Sequence, residues 1–152
     1  MLKVYKTKEF ARLARRAKVT DDALCEIIAR AEQGSIDAEL GNGLIKQRVA
    51  RANEGRSGGF RAIVIYRPGR RAIFAYLFAK KDRENLTPVE EEVYRDLAKI
   101  ILELSDATLD TAVAEKGWKT VDYEAYERKV SQPGASSGAS RRARPSRTRR
   151  NR

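Results

Sequence analysis

An α+β fold is predicted for this chain: two N-terminal helices packed on one face of a small antiparallel sheet, with C-terminal helices after it. Three observations predict it. Apolar residues recur at helical spacing between Phe10 and Ala31, and β-branched and aromatic residues crowd into runs between Leu44 and Lys80. Helical spacing then returns after Val89.

The elements can be justified in order. Lys3 to Lys6 reads as a short strand with Val4 and Tyr5 as its β-formers. Thr7 is an N-cap, and Phe10, Leu13, Ala14 and Ala17 follow on one helical face. Thr20 opens a second helix with Asp21 and Asp22 in its positive first turn. Its buried stripe is Leu24, Ile27, Ile28 and Ala31, and Gly34 ends it. Ile36, Ala38 and Leu40 alternate towards the turn Gly41-Asn42-Gly43, and Leu44 to Val49 is a strand. Arg56-Ser57-Gly58-Gly59 marks a flexible loop. Phe60 to Arg67 and Ala72 to Lys80, joined by Pro68-Gly69-Arg70-Arg71, form the clearest hairpin.

After Lys80 the period changes. Thr87-Pro88 starts a helix with Glu90 at capping-box spacing. Val89, Val93, Leu97, Ile100, Ile101 and Leu104 are read as its core-facing stripe. Ser105 or Asp106 caps a shorter helix that stops near Gly117, and Trp118 to Tyr126 is read as a final extended piece. From Ser131 onward only Gly, Ala, Ser, Pro, Gln, Arg, Thr and Asn remain. Such a segment cannot feed a core and is predicted to be disordered. The organisation expected is a domain over residues 1–127 and a basic tail over 128–152.

Charge is distributed unevenly. The chain holds 32 basic and 21 acidic residues, a net +11. Residues 128–152 carry nine basic residues and no acidic one, so the preceding 127 carry only +2. Lys46 to Arg83 has eleven basic residues against Glu54 and Asp82, whereas Glu84 to Glu127 has twelve acidic against four basic. A basic middle of this kind either faces a polyanion or is a solvated surface.

Composition closes several chemistries. With no His, neither a histidine acid–base pair nor a Ser-His-Asp triad can form. One Cys and no His leave almost no ligands for zinc, and no metal or other cofactor is expected. Glu90-Glu91-Glu92 lies in a helix's first turn, where it complements the dipole. Cys25 sits beside an apolar stripe, is read as a packed thiol, and as the sole cysteine fits a reducing, cytoplasmic setting. Met1 to Lys6 is too short and too charged for a targeting core, and no run approaches the ~18 apolar residues that a membrane span needs.

Basic chemistry remains. Lys46 and Arg48 are two apart on one strand and share a face. Arg61 starts the next strand, and Lys80, Lys81 and Arg83 end the one after. An antiparallel hairpin brings Arg61 back beside Lys80 to Arg83. The cluster either grips a phosphate and stabilises a pentacovalent transition state, or is simply the polar face of a sheet.

Lys8-Glu9-Phe10, Gly43-Leu44-Ile45-Lys46-Gln47-Arg48, Arg56-Ser57-Gly58-Gly59-Phe60-Arg61 and Phe78-Ala79-Lys80-Lys81-Asp82-Arg83-Glu84-Asn85-Leu86, in that order, resemble the RelE/HigB toxins of type II toxin–antitoxin systems. The resemblance spans about residues 3–115 and is nearest the HigB-like branch. It implies a metal-independent endoribonuclease that cuts messenger RNA on the ribosome. The ribose 2′-hydroxyl attacks the adjacent phosphate, leaving a 2′,3′-cyclic phosphate and a 5′-hydroxyl. By position, Arg61 matches the phosphate clamp, and Lys46, Lys81 and Arg83 the remaining catalytic cations. Arg48, Arg51, Arg56 and Lys80 are expected to contact RNA. The resemblance also implies a cognate antitoxin, of helix-turn-helix type and encoded by an adjacent gene.

One departure stands out. RelE proper carries a tyrosine soon after the last basic pair, whereas here Asn85-Leu86-Thr87-Pro88 follows and the next tyrosine is Tyr94. The fold also serves ParE-like gyrase inhibitors and degenerate binding modules that lack the nuclease site; Lys46, Arg61, Lys81 and Arg83 favour RNA cleavage. The arginine-rich tail lies outside the resemblance and reads either as an inert extension or as an RNA-binding segment.

Overall fold

Thr7 fixes where the first helix begins, because its Oγ1 accepts the Phe10 amide at 3.1 Å. In the computed structural model, which describes residues 1–49 and 59–131, strand β1 (Lys3–Lys6) therefore leads directly into helix α1 (Lys8–Ala17). Lys18 ends α1 in the left-handed region, and Thr20 caps α2 (Asp21–Glu32) by accepting the Ala23 amide at 3.2 Å. Both helices pack on one face of the sheet, as the sequence predicts. Phe10 of α1 meets Phe74 with ring centroids 5.1 Å apart. Gln47, fully buried, ties the sheet to α2 and the chain beyond it. Its Oε1 accepts from the Asp37 amide at 2.6 Å, and its Nε2 donates to the Ser35 carbonyl at 3.2 Å and the Ile27 carbonyl at 3.5 Å.

The strands β2 (Ala38–Gly41), β3 (Leu44–Val49), β4 (Phe60–Arg67) and β5 (Arg71–Ala79) run antiparallel in succession. The turn into β3 requires Gly43: its φ is +85°, and a Cβ there would stand 2.4 Å from Leu102 Cδ1. The sheet is larger and less uniform than expected. Among the described residues it has six strands in the order β2-β3-β4-β5-β1-β6, where β6 is Lys119–Val121. It is mixed, since β1 pairs parallel with β5 from Lys3↔Arg71 to Lys6↔Phe74. A four-residue strand with two apolar residues carries no local signal for its neighbour or its direction, so neither was legible.

One irregularity decides which way the β5 side chains point. The β4–β5 register shifts between Ile63, opposite Tyr76, and Val64, opposite Phe74. Ala75 is the extra residue. Phe74 therefore faces α1, whereas Tyr76 and Phe78 face the other side with Ile63 and Arg61.

That other side is covered by α3 (Pro88–Ile101) and α4 (Asp106–Glu115). A capping box of Thr87 and Glu90 starts α3, and Ser105 caps α4. Their core includes Tyr5, Leu44, Ile63, Ile65, Ile73 and Phe78 of the sheet with Leu86, Ala98, Ile101, Leu102 and Leu109. Here the expected stripe is corrected. Val89, Val93, Leu97 and Ile100 face outward, at 70%, 58%, 37% and 60% exposure, while Tyr94, Ala98, Ile101 and Leu102 face the sheet. The helix carries two apolar rows, and periodicity alone cannot say which one packs.

Two arginines lock this layer in place. Buried Arg71 donates from Nη1 to the carbonyls of Ile101 (3.1 Å) and Leu104 (2.7 Å), and from Nη2 to Asp106 (2.8 Å). Arg67 donates to the Leu102 carbonyl at 3.1 Å. Together they satisfy carbonyls that the end of α3 leaves open.

The chain divides into two units, Met1–Val121 and a second that begins at Asp122. In the second, Asp122 accepts the Ala125 amide at 3.0 Å and starts α5 (Tyr123–Ser131). Only residues 119–121 of the expected final extended piece are a strand. The helix also carries through Arg128 to Ser131, past the point where composition puts the start of the tail. The rest of that tail, 132–152, lies outside the described residues. Among the described residues no helix is long and apolar enough to cross a membrane.

Candidate functional site

Antiparallel pairing places two rows of side chains on the face that α3 covers. One row is Lys46, Ile63 and Tyr76; the next, nearer the sheet's end, is Arg48, Arg61 and Phe78. Arg48 and Arg61 are thus direct cross-strand partners. Like charges set opposite one another weaken a sheet, so this pair works against the fold unless an anion lies between them. Among the described residues neither guanidinium has an ion-pair partner. Arg61 Nη1 reaches only the neighbouring Phe60 carbonyl, at 3.3 Å.

The backbone of Arg48 is held at both its amide and its carbonyl. Asp37 accepts its amide at 2.6 Å, and Arg30 donates to its carbonyl at 2.6 Å while pairing with Asp37 at 3.8 Å. Sequence reasoning missed this clamp. Arg30 and Asp37 lie on a helix and a loop whose packing against β3 has no local signature.

Arg83 joins the rows from the segment after β5. Its guanidinium lies 5.6 Å from the centre of the Phe78 ring. It forms a two-pronged pair with Glu90, through Nη1 at 3.3 Å and through Nη2, and its Nε donates to the Asn85 carbonyl at 3.2 Å. Glu90 simultaneously accepts the Thr87 amide at 2.7 Å, so one carboxylate both caps α3 and orients Arg83. The hydrogen bond to Arg83 holds the Glu90 carboxyl below its usual range, and the same bond raises Arg83. Lys46 donates to the Asn85 side chain, which links the first row to the same segment.

An aromatic surface borders the cations. Tyr76 stacks on Tyr94 of α3, with centroids 6.1 Å apart and planes 28° apart, and lies 6.0 Å from Phe78. Burial first, then the carboxylate of Glu9, push the Tyr94 hydroxyl up to about 12, so it keeps its proton at neutral pH. Nothing local in the sequence sets Tyr94 near the cations. One turn of α3 separates it from Glu90, and the bulge at Ala75 aims Tyr76 towards it.

The structure thus brings together Lys46, Arg48, Arg61 and Arg83. Lys80 and Lys81 sit in the exposed turn after β5. The Lys80 amide bonds the Gly59 carbonyl at 3.1 Å, which sets the turn beside the start of β4. Their ammonium groups have no ion-pair partner among the described residues. Arg51 and Arg56 lie outside the described residues. The arrangement offers cations, the protonated phenol of Tyr94 and stacking surfaces: it can hold a phosphate and stabilise added charge on it.

No curated protein matches the chain. The family model described as the RelE toxin of the RelE/RelB toxin–antitoxin system matches residues 2–121, a span that ends with the first unit. That match covers the six-stranded sheet and every residue of the cluster, and it implies an antitoxin as partner. The chain belongs to the RelE toxin family of toxin–antitoxin systems.

Proposed function

We propose that the chain is a metal-independent endoribonuclease of the HigB-like branch that cuts messenger RNA on the ribosome, in the cytoplasm, and stops translation. The observation that carries this reading is the cross-strand pair Arg48↔Arg61 beside Arg83, Phe78 and Lys46. Three guanidiniums and a lysine converge where a sheet alone would favour uncharged residues.

In this reading Arg61 and Arg48 bracket the scissile phosphate. The ribose 2′-hydroxyl attacks phosphorus as it loses its proton, and the 5′-oxygen leaves as it gains one. Lys46 and Lys81 are the groups left to move those protons, and Arg83, which Glu90 keeps charged, helps neutralise the pentacovalent state. Tyr76 and Tyr94, both only partly buried, give a nucleobase something to stack on, which supports the nucleotide contact despite the absence of a tyrosine directly after Arg83. Lys80, with Arg51 and Arg56, extends the RNA contact. A helix-turn-helix antitoxin from the adjacent gene restrains the toxin.

The test is chemical. Purified chain is incubated with ribosomes programmed with messenger RNA, and the new ends are characterised. A 2′,3′-cyclic phosphate with a 5′-hydroxyl is expected. Ends with 3′-hydroxyl and 5′-phosphate would overturn the mechanism, and uncut message with intact binding would favour a non-catalytic module such as a gyrase inhibitor.

A further inference from the structure

Four large aliphatic side chains stand in a row on the outer face of α3: Val89, Val93, Leu97 and Ile100. Their spacing of four, four and three residues keeps them on one line along the helix. Contiguous exposed apolar surface of this kind is disfavoured in a chain that stays alone. Along one border of the row run Glu92 and Asp96, both exposed, with Lys99 as the cation beside them; Glu103, past the end of the helix, is taken up by Arg67.

That border decides between occupants. A second copy of α3 laid antiparallel would set the two acidic rows against each other. Laid parallel, it would set an acidic row against the flank of Glu90 and Leu97, which offers no cation from the helix. The arginine-rich segment 132–152 could match the charge, but it has no large apolar residue to cover the row. A different chain meets both demands if it presents an amphipathic helix with an aliphatic seam and Lys or Arg along one edge.

We propose that the exposed row of α3 is the seat of such a helix, and that the antitoxin supplies it. The second clause rests on membership of the RelE toxin family. Aliphatic residues of the partner would sit between Val93, Leu97 and Ile100. Its basic edge would run beside Glu92 and Asp96.

The experiment measures binding of the full chain to the purified product of the adjoining gene. Val93→Glu with Ile100→Glu should weaken binding about a hundredfold, because charge is placed at the centre of the apolar contact. Glu92→Lys with Asp96→Lys should weaken it about tenfold, mostly through slower association. Neither set should shift the melting temperature, since all four side chains are exposed. If the glutamates do lower it, Val93→Ala with Ile100→Ala carries the test with a loss of about tenfold. Unchanged affinity in the apolar variants overturns the surface and leaves the antitoxin partnership standing. No binding by the unmodified chain sinks the antitoxin assignment and the proposal with it. Self-association of the unmodified chain that the glutamate variant abolishes shows a second copy as the occupant, and also overturns the proposal.

Discussion

Arg61 is the residue whose position is hardest to explain by folding alone. It stands directly opposite Arg48, partly buried, with no carboxylate among the described residues to offset either charge. Arg61→Ala should therefore act in opposite directions on rate and stability. Cleavage should fall about a hundredfold, roughly 3 kcal/mol of transition-state stabilisation. Stability should hold or rise by a few tenths of a kcal/mol as the cross-strand repulsion goes. Paired measurements of single-turnover cleavage and urea midpoint check this. The opposite pattern, a stability loss with activity kept, would make Arg61 a structural residue. Arg83 differs, because Glu90 already holds it. Glu90→Gln should lower cleavage by weakening that hold, and Glu90→Gln with Arg83→Ala should cost no more than Arg83→Ala alone, since one acts through the other. Because the Glu90 carboxyl is held below its usual range, the pairing is complete above the ordinary carboxylate range and fades as pH falls through its lowered value. Arg12→Ala, Arg15→Ala and Arg70→Ala, which remove charge outside the cluster, are the controls. Equal losses in these would reduce the effect to bulk charge.

Among the elements, the junction between α3 and α4 depends most on single residues. Arg71→Ala should destabilise the fold by about 2–4 kcal/mol, because the carbonyls of Ile101 and Leu104 lose a buried charged donor. A denaturation midpoint unchanged in Arg71→Ala would show that water satisfies those carbonyls instead. Tyr5 is a second such point. Its hydroxyl donates to Asp110 at 3.2 Å, and burial, reinforced by Asp110, pushes its pKa up to about 12. The sign follows from the raised value: the stabilisation is complete below the unfolded value near 10 and is lost as pH climbs towards 12. Tyr5→Phe should be modestly less stable at pH 8 but should lose less stability between pH 10 and 12, as midpoints across that range would show. These elements also mark how far the sequence could be read. Caps at Thr7, Thr20, Thr87 and Ser105 and the turn at Asn42-Gly43 are local chemistry, so the helices and the antiparallel strands were legible. The partner of β1, the bulge that separates Phe74 from Tyr76, and the choice between the two apolar rows of α3 are tertiary outcomes. The site followed the same rule. Lys46 and Arg48 came from strand alternation and Arg61 from the antiparallel return of the hairpin, whereas Asp37, Asn85, Glu90 and Tyr94 reach the cluster only through packing.

Across the whole molecule the acidic segment after Lys80 neutralises selectively. Asp106 pairs with Arg71 and Lys3, Glu103 with Arg67, Glu90 with Arg83, and Glu91 with Arg95. Lys46, Arg48, Arg61, Lys80 and Lys81 have no such partner among the described residues, so the positive field is left at one end of the sheet. Beyond α5 the sequence adds a second basic region. Of the nine basic residues in 128–152, Arg128 and Lys129 belong to α5, which leaves seven in 132–152. The composition of that stretch, without a large apolar residue, predicts that it adds to binding and not to the core. Deleting 132–152 should leave the melting temperature of the remaining chain unchanged. It should weaken binding to single-stranded RNA most at low salt, and flatten the plot of log affinity against log salt by up to about 5, since each phosphate contact contributes about 0.7 to that slope. Cleavage per bound message should be unaffected, because Arg61 and its neighbours are intact. A fall of several degrees in melting temperature would place the tail in the fold, and an unchanged salt slope would make it an inert extension. If binding and slope fall together while the ends of the cleaved message stay the same, the tail serves to concentrate RNA at a site that the first unit already completes.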